Sequence, residues 1–143
     1  MVEVKFYEEV EDQLLQFAVI VAKHRNQWVI CKHKSRDTYE VPGGHREPGE
    51  TILDTAKREL QEESGAIDFE LTPICIYSVS GTDGTISDST ETFGMLYYAE
   101  IKRFGPLPDF EMEQVILSEE LPSNWTYPLI QPKLIDRVMK TRF

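Results

Sequence analysis

The stretch from Gly44 to Ala66 reads Gly-His-Arg-Glu-Pro-Gly-Glu-Thr-Ile-Leu-Asp-Thr-Ala-Lys-Arg-Glu-Leu-Gln-Glu-Glu-Ser-Gly-Ala, and it decides how the chain folds. Thr51 is suited to cap a helix N-terminus, with Asp54 three residues on in the position of a capping-box acid. Ile52, Leu53, Ala56 and Leu60 give that helix an apolar stripe, and Gly65 is a fitting stop. The opposite face is unusual. At about 100° per residue, Glu62 and Glu63 fall roughly 60° and 40° to either side of Glu59, so three carboxylates share one face. Like charges this close repel, and near a helix C-terminus the macrodipole adds to the cost. A divalent cation reverses the balance, because clustered carboxylate oxygens suit Mg²⁺ or Mn²⁺.

Working outward, Tyr39-Glu40-Val41 reads as a short extended piece that Pro42-Gly43-Gly44 interrupts. Leu14 to Ala22 and Trp28 to His33 read as two apolar strands joined by a turn over His24 to Gln27, hence a hairpin. Beyond the helix, Phe69 to Ser78, Thr92 to Lys102 and Gln114 to Leu117 read as strands, with a polar loop over Gly81 to Thr90. Pro128 to Arg142 carries Leu129, Ile130, Leu134, Ile135 and Val138 at helical spacing and is expected to close the chain as a second helix, despite Pro132. Strands with two separated helices imply an α/β (α+β) fold, a mixed sheet with helices packed on it. With 143 residues and no linker or repeat, residues 1–143 are expected to form a single domain.

The chain has 15 Lys and Arg against 25 Asp and Glu, a net charge of −10. That balance argues against duplex nucleic acid and against an anionic membrane surface as partners. Acids are placed rather than scattered: residues 1–13, 46–63 and 109–120 are all acidic, and the remainder is slightly basic. The longest apolar run, Phe17 to Ala22, is too short to cross a bilayer, and no cationic leader opens the chain. The protein is therefore expected to be cytoplasmic, with Cys31 and Cys75 as two buried, reduced thiols. The apolar strands leave room for a homodimer.

The stretch resembles the Nudix box, G-x5-E-x7-R-E-U-x-E-E-x-G-U, where U is a bulky aliphatic residue. Gly44, Glu50, Arg58, Glu59, Leu60, Glu62, Glu63 and Gly65 meet the pattern, and Tyr39 to Gly44 looks like the strand and Pro-Gly-Gly loop that precede it. Ala66 departs from the final aliphatic position, and Ile67 beside it is expected to fill that core slot. The resemblance implies an α/β/α sandwich around a mixed sheet, with the box as a loop–helix–loop. It implies hydrolysis of a pyrophosphate bond in a nucleoside diphosphate linked to another group, with Mg²⁺ or Mn²⁺ as cofactor. It assigns Glu62 and Glu63 as core metal ligands and Glu59 as a carboxylate that binds metal or acts as base. Gly43 offers its carbonyl to a metal, Glu50 supports the site, and Arg58 orients the carboxylates. A further carboxylate often comes from a loop beyond the box. Glu111 is the expected one, with Glu113 as the alternative, because Glu111 to Pro122 is similar to the family's E-x-E-x-V-x-x-x-x-E-L-P segment.

Substrate choice lies outside the box. The size and the segment Leu121 to Pro128 look most like the small branch that converts nucleoside triphosphates, 8-oxo-dGTP among them, to monophosphate and pyrophosphate. In that branch an Asn near the last helix reads the base, which makes Asn124 the candidate, with Trp125 or Tyr127 stacking on it. The alternative substrates are ADP-ribose, a dinucleoside polyphosphate, a nucleotide sugar or an RNA 5′-triphosphate. A nucleotide-binding sensor without turnover is the non-enzymatic alternative.

Overall fold

The computed structural model describes residues 2–81, 91–106 and 112–142, with the side chains of residues 112 and 113 outside the description. In chain order the elements are β1 (Glu3–Tyr7), a 3₁₀ turn (Asp12–Leu14), β2 (Leu15–His24), β3 (Gln27–His33), β4 (Tyr39–Glu40), β5 (Gly43–His45), α1 (Ile52–Ser64), β6 (Ala66–Ser80), β7 (Thr92–Phe104), β8 (Met112–Ser118) and α2 (Gln131–Arg142). The strands form one mixed sheet in the order β1-β6-β7-β2-β3-β4, with β5 pairing β2 and β8 pairing β3. Within it, β2 and β7 run parallel and every other described pair is antiparallel.

The sheet is covered on both faces. Successive strand side chains point to opposite sides, so Ala18, Ile20 and Ala22 of β2 join Tyr97, Ala99 and Ile101 of β7 beneath Ala56 and Leu60 of α1. Val21 of β2, with Leu96 and Tyr98 of β7, packs instead against Leu134, Ile135 and Val138 of α2. The result is the α/β/α sandwich expected for the chain. Its central strand is apolar on both sides, as a strand between two helical layers must be.

Strand β2 has two neighbours on one side. Phe17, Ala18 and Val19 pair with His45, Gly44 and Gly43 of β5, whereas Lys23 and His24 pair with Trp28 and Gln27 of β3. The two-residue loop between β2 and β3 places Arg25 at φ 50° and Asn26 at φ 68°, the backbone that twists a tight hairpin correctly. The fork in β2 therefore delivers the glycine-rich segment to the sheet centre beside α1.

Several expectations are adjusted. The extended piece does stop, since β4 ends at Glu40 ahead of a bend at Pro42, but Gly43 to His45 return to the sheet as β5, and the Pro42 carbonyl accepts from the Ile20 N–H at 2.9 Å. The last helix begins at Gln131 rather than Pro128. Pro132 lacks the N–H needed to bond back to residue 128, so it sits in the first turn, where that loss costs nothing. Ile67 does not fill the core slot. It is 52% exposed while Ala66 is fully buried, because neighbours on β6 face opposite ways. Cys31 is buried, but Cys75 is only half-buried; both are free thiols. The expected loop over Gly81 to Thr90 lies outside the described residues after Gly81.

The acidic N-terminus now has a place. Glu3 to Tyr7 pair antiparallel with Ser80 to Ile76 at the sheet edge, with Val4 and Phe6 turned onto the α2 side of the core. Glu3 is exposed, and charge on an edge strand discourages pairing with another chain. Among the described residues no helix is long and apolar enough to cross a membrane.

Candidate active site

Helix α1 is built as its residues dictate. The Thr51 hydroxyl accepts from the Asp54 N–H at 3.1 Å, and the Asp54 carboxylate accepts from the Thr51 N–H at 3.1 Å, closing the capping box. At the other end Gly65 adopts φ 76° and its N–H bonds the Gln61 carbonyl at 3.0 Å. Only glycine takes that left-handed position without strain. Cys31 of β3 ties this end to the sheet, its thiol donating to the Glu63 carbonyl at 3.1 Å. Burial pushes that thiol's pKa well up, so it stays protonated and unreactive.

Arg58 organises the polar face. Its Nε and Nη2 donate to the two oxygens of Glu50 at 2.7 and 3.1 Å, a bidentate pair. Its Nη1 donates to Glu59 at 2.7 Å and to Glu62 at 3.1 Å, and approaches Glu47 at 3.6 Å. Its Nη2 also reaches the carbonyl of His45 at 2.8 Å, fastening the helix to the end of β5. One guanidinium thus faces four carboxylates, which leaves the cluster net negative. The surrounding carboxylates push the Arg58 pKa further up.

Glu50 is held furthest. Besides the Arg58 pair, it accepts from the Glu47 N–H and the Thr55 hydroxyl, each at 2.9 Å. The Arg58 hydrogen bonds, then that N–H, lower its carboxyl pKa from the ordinary 4.5 to about 2. A depressed acid contributes stability that is complete above the unfolded value, near 4.5, and lost as pH falls toward 2. Thermal unfolding of the wild type and of Glu50→Gln should therefore differ most near neutral pH. The gap should close between about pH 4.5 and pH 2.

Glu63 is treated differently. It is buried, and its Oε1 accepts from the Gly43 N–H at 2.8 Å, so β5 and the helix meet at this contact. Next door, the Glu59 carboxylate lies on the bare Cα of Gly44. A Cβ there would stand 2.5 Å from the carboxyl carbon and 2.6 Å from each oxygen. Glu50, Arg58, Glu59, Glu62, Glu63 and Gly43 are therefore brought together. Glu111 lies outside the described residues, and Glu113 is placed only by its backbone, on β8.

Among the described residues no three acidic, histidine or cysteine groups converge as a ready cation cage. Arg58 accounts for this. It stands between Glu59 and Glu62 as their counter-charge, while Glu63 turns to Gly43. The donor set still fits a hard divalent cation: several carboxylates, net negative, on one helix face beside a glycine strand.

A pocket of about 300 Å³ opens on the other side of β5, with Gly43, Gly44 and His45 as a shared wall. Its remaining walls are largely apolar, among them Phe17, Val19, Tyr77, Ile130 and Leu134, with Glu40 and Gln131 as polar groups. Tyr127 lines it too. Asn124 and Trp125 do not. Asn124 uses its Nδ2 on the Asp37 carbonyl at 3.0 Å, and its own carbonyl accepts from the Tyr39 N–H at 3.0 Å. Trp125 packs against the α2 side of the core. Sequence reasoning missed Glu40 and Gln131. The available signals were a charge next to the apolar Val-Pro-Gly-Gly and a polar residue ahead of Pro132.

Comparison with known proteins agrees with this architecture. The NUDIX domain family model matches residues 13–131. YtkD of Bacillus subtilis (strain 168), a proposed 8-oxo-dGTP diphosphatase, is 32% identical over 106 residues, covering 73% of this chain and 63% of YtkD. The 8-oxo-dGDP phosphatase NUDT18 of Mus musculus is 39% identical over 49 residues, 34% of this chain and 14% of NUDT18. The chain thus spans less than two thirds of the length of either relative. In fold, a crystal structure of a mutant of the Bacillus subtilis pyrophosphohydrolase BsRppH superposes with a TM-score of 0.79 at 22% identity, covering 99% of this chain and 92% of that one. With the box, the sandwich and the family model in agreement, the chain belongs to the Nudix family.

Proposed function

We propose that residues 1–143 form one Nudix hydrolase domain that uses Mg²⁺ or Mn²⁺ to cleave a nucleoside triphosphate, 8-oxo-dGTP included, to monophosphate and pyrophosphate. One observation carries this reading: the carboxylate cluster and the pocket share the strand Gly43–His45. A base and sugar in the pocket would direct their phosphates across the glycines onto the acidic face of α1. The 8-oxo-dGTP and 8-oxo-dGDP named for YtkD and NUDT18 support a purine nucleotide substrate, with the diphosphate as the second reading.

The residues that would hold the cation are Glu59, Glu62, Glu63 and the Gly43 carbonyl, with Glu111 carried over by resemblance. A cation bound there neutralises charge on the phosphate oxygens and lowers the pKa of water. Glu59, which packs against Gly44, would accept a proton from the attacking water. Arg58 and Glu50 hold that carboxylate in position, and the largely apolar pocket excludes water from the base. With a net negative cluster, the metal-free protein should repel a polyphosphate.

The test is a panel in Mg²⁺ of dGTP, 8-oxo-dGTP, 8-oxo-dGDP, ADP-ribose, a dinucleoside polyphosphate, a nucleotide sugar and 5′-triphosphorylated RNA, with phosphate and pyrophosphate release measured separately. Pyrophosphate from the deoxynucleoside triphosphates, abolished by EDTA, is the expected result. Tight binding of a nucleotide with no turnover would favour a sensor instead.

A further inference from the structure

The loop between β5 and α1 carries Glu50, yet Glu47, Pro48 and Gly49 within it are exposed. Arg46, at a position that the box pattern leaves open, fastens this loop to the sheet. Its own N–H donates to the Gln16 carbonyl at 2.8 Å, and its Nε donates to the Glu50 carbonyl at 2.9 Å. Its Nη1 donates to the carbonyls of Asp12 at 2.9 Å and Leu15 at 3.3 Å, and its Nη2 to the Asp12 carboxylate at 2.9 Å. An irregularity in β2 serves this contact. The register against β7 passes from Leu15 opposite Phe93 to Phe17 opposite Gly94, so Gln16 is skipped and its carbonyl turns to Arg46. A guanidinium suits the task, because its rigid fork donates to several acceptors at once and each bond is charge-assisted. The Asp12 side chain is 71% exposed, so the carbonyl bonds rather than the ion pair carry most of the tie.

From Glu50 the connection continues toward the acidic face. The backbone that Arg46 holds bears the carboxylate that takes both Nε and Nη2 of Arg58, and Nη1 of Arg58 reaches Glu59 and Glu62. We propose that Arg46 is a positioning residue for that face. With the turn at Asp12 to Leu15 it clamps the loop, fixes the backbone at Glu50, and through the Glu50–Arg58 pair sets where Glu59 and Glu62 stand. The proposal rests on the reading of this face as the metal site, and gives the acidic segment ahead of β2 a part in building it.

The experiment compares wild type, Arg46→Ala, Arg46→Lys, Glu50→Ala and the double variant Arg46→Ala with Glu50→Ala. Thermal unfolding checks each fold, and all other measurements are made well below the melting temperature. Nitrogen-15 NMR follows the Arg58 Nε–H, identified by its loss in Arg58→Lys, and titration of the nucleotide-free protein reads Mn²⁺ affinity. In Arg46→Ala the Arg58 Nε–H should exchange with water at least about fivefold faster, because the partner that protects it is no longer fixed. Mn²⁺ binding should weaken by about tenfold, the scale of losing support behind a metal ligand. Arg46→Lys should recover part of both losses, since its ammonium reaches carbonyls without the fork. Should Arg46→Ala not fold, Arg46→Lys carries the same comparison with smaller shifts. In the Glu50→Ala background, adding Arg46→Ala should change Mn²⁺ affinity by less than about twofold, because the link is already cut. An unchanged Arg58 Nε–H in the folded Arg46 variants would overturn the proposal. So would losses of Mn²⁺ affinity that multiply in the double variant. Faster exchange at Arg58 in Arg46→Ala, with no saturable Mn²⁺ binding by the wild type, would uphold the clamp while overturning the metal reading of the face.

Discussion

Glu63→Gln is expected to lower kcat for triphosphate hydrolysis by about 10³-fold, the scale on which losing one preorganised electrostatic contact slows an enzyme. The substitution is nearly isosteric. The amide oxygen can still accept from the Gly43 N–H, now made at 2.8 Å, so the join between β5 and α1 survives. What disappears is a negative charge at a buried position facing the proposed cation. The melting temperature should therefore stay within a few degrees of wild type while turnover collapses, which thermal unfolding and pyrophosphate release measure together. Near wild-type turnover would remove Glu63 from the ligand set.

Gly44→Ala is the second large effect, and it separates the site from the fold. The new methyl would meet the Glu59 carboxylate at 2.5 to 2.6 Å, and its three nearest neighbours are the three atoms of that carboxylate. A carboxylate at the end of a flexible side chain can swing aside, so the sheet should tolerate the change. Glu59 cannot then keep both its seat on β5 and its 2.7 Å contact with Arg58. Activity should fall by about 10²-fold, in the range seen when a supporting contact to a metal site is lost. A fully active, normally folded Gly44→Ala would show that the position of Glu59 does not matter to the chemistry.

Much of this was legible before the structure because it is local. The capping box at Thr51 and Asp54, the stop at Gly65 and the clustering of Glu59, Glu62 and Glu63 all arise within one helix, where spacing fixes geometry. The mixed sheet with helices packed on it followed from the strand and helix patterns, and its α/β/α layering from the resemblance to the Nudix family. The pocket is different. Val41 and Gln131 lie 90 positions apart and meet through a single hydrogen bond, so no local pattern could announce Glu40 and Gln131 as neighbours. β1 escaped notice for another reason: five residues with two inward-facing side chains give too weak an alternation beside so many acids. Ile67 failed because the start of β6 switches the period from helix to strand at that residue.

If the acidic face of α1 holds the metal, the nucleotide-free protein will bind Mn²⁺ there. Electron paramagnetic resonance of free Mn²⁺ during a titration counts bound ions without requiring turnover. Wild type is expected to bind Mn²⁺ saturably, in competition with Mg²⁺, and Glu62→Gln and Glu63→Gln should each weaken that binding by about 10-fold or more. Identical Mn²⁺ binding by the wild type and both variants, all correctly folded, would contradict the assignment of this face as the metal site.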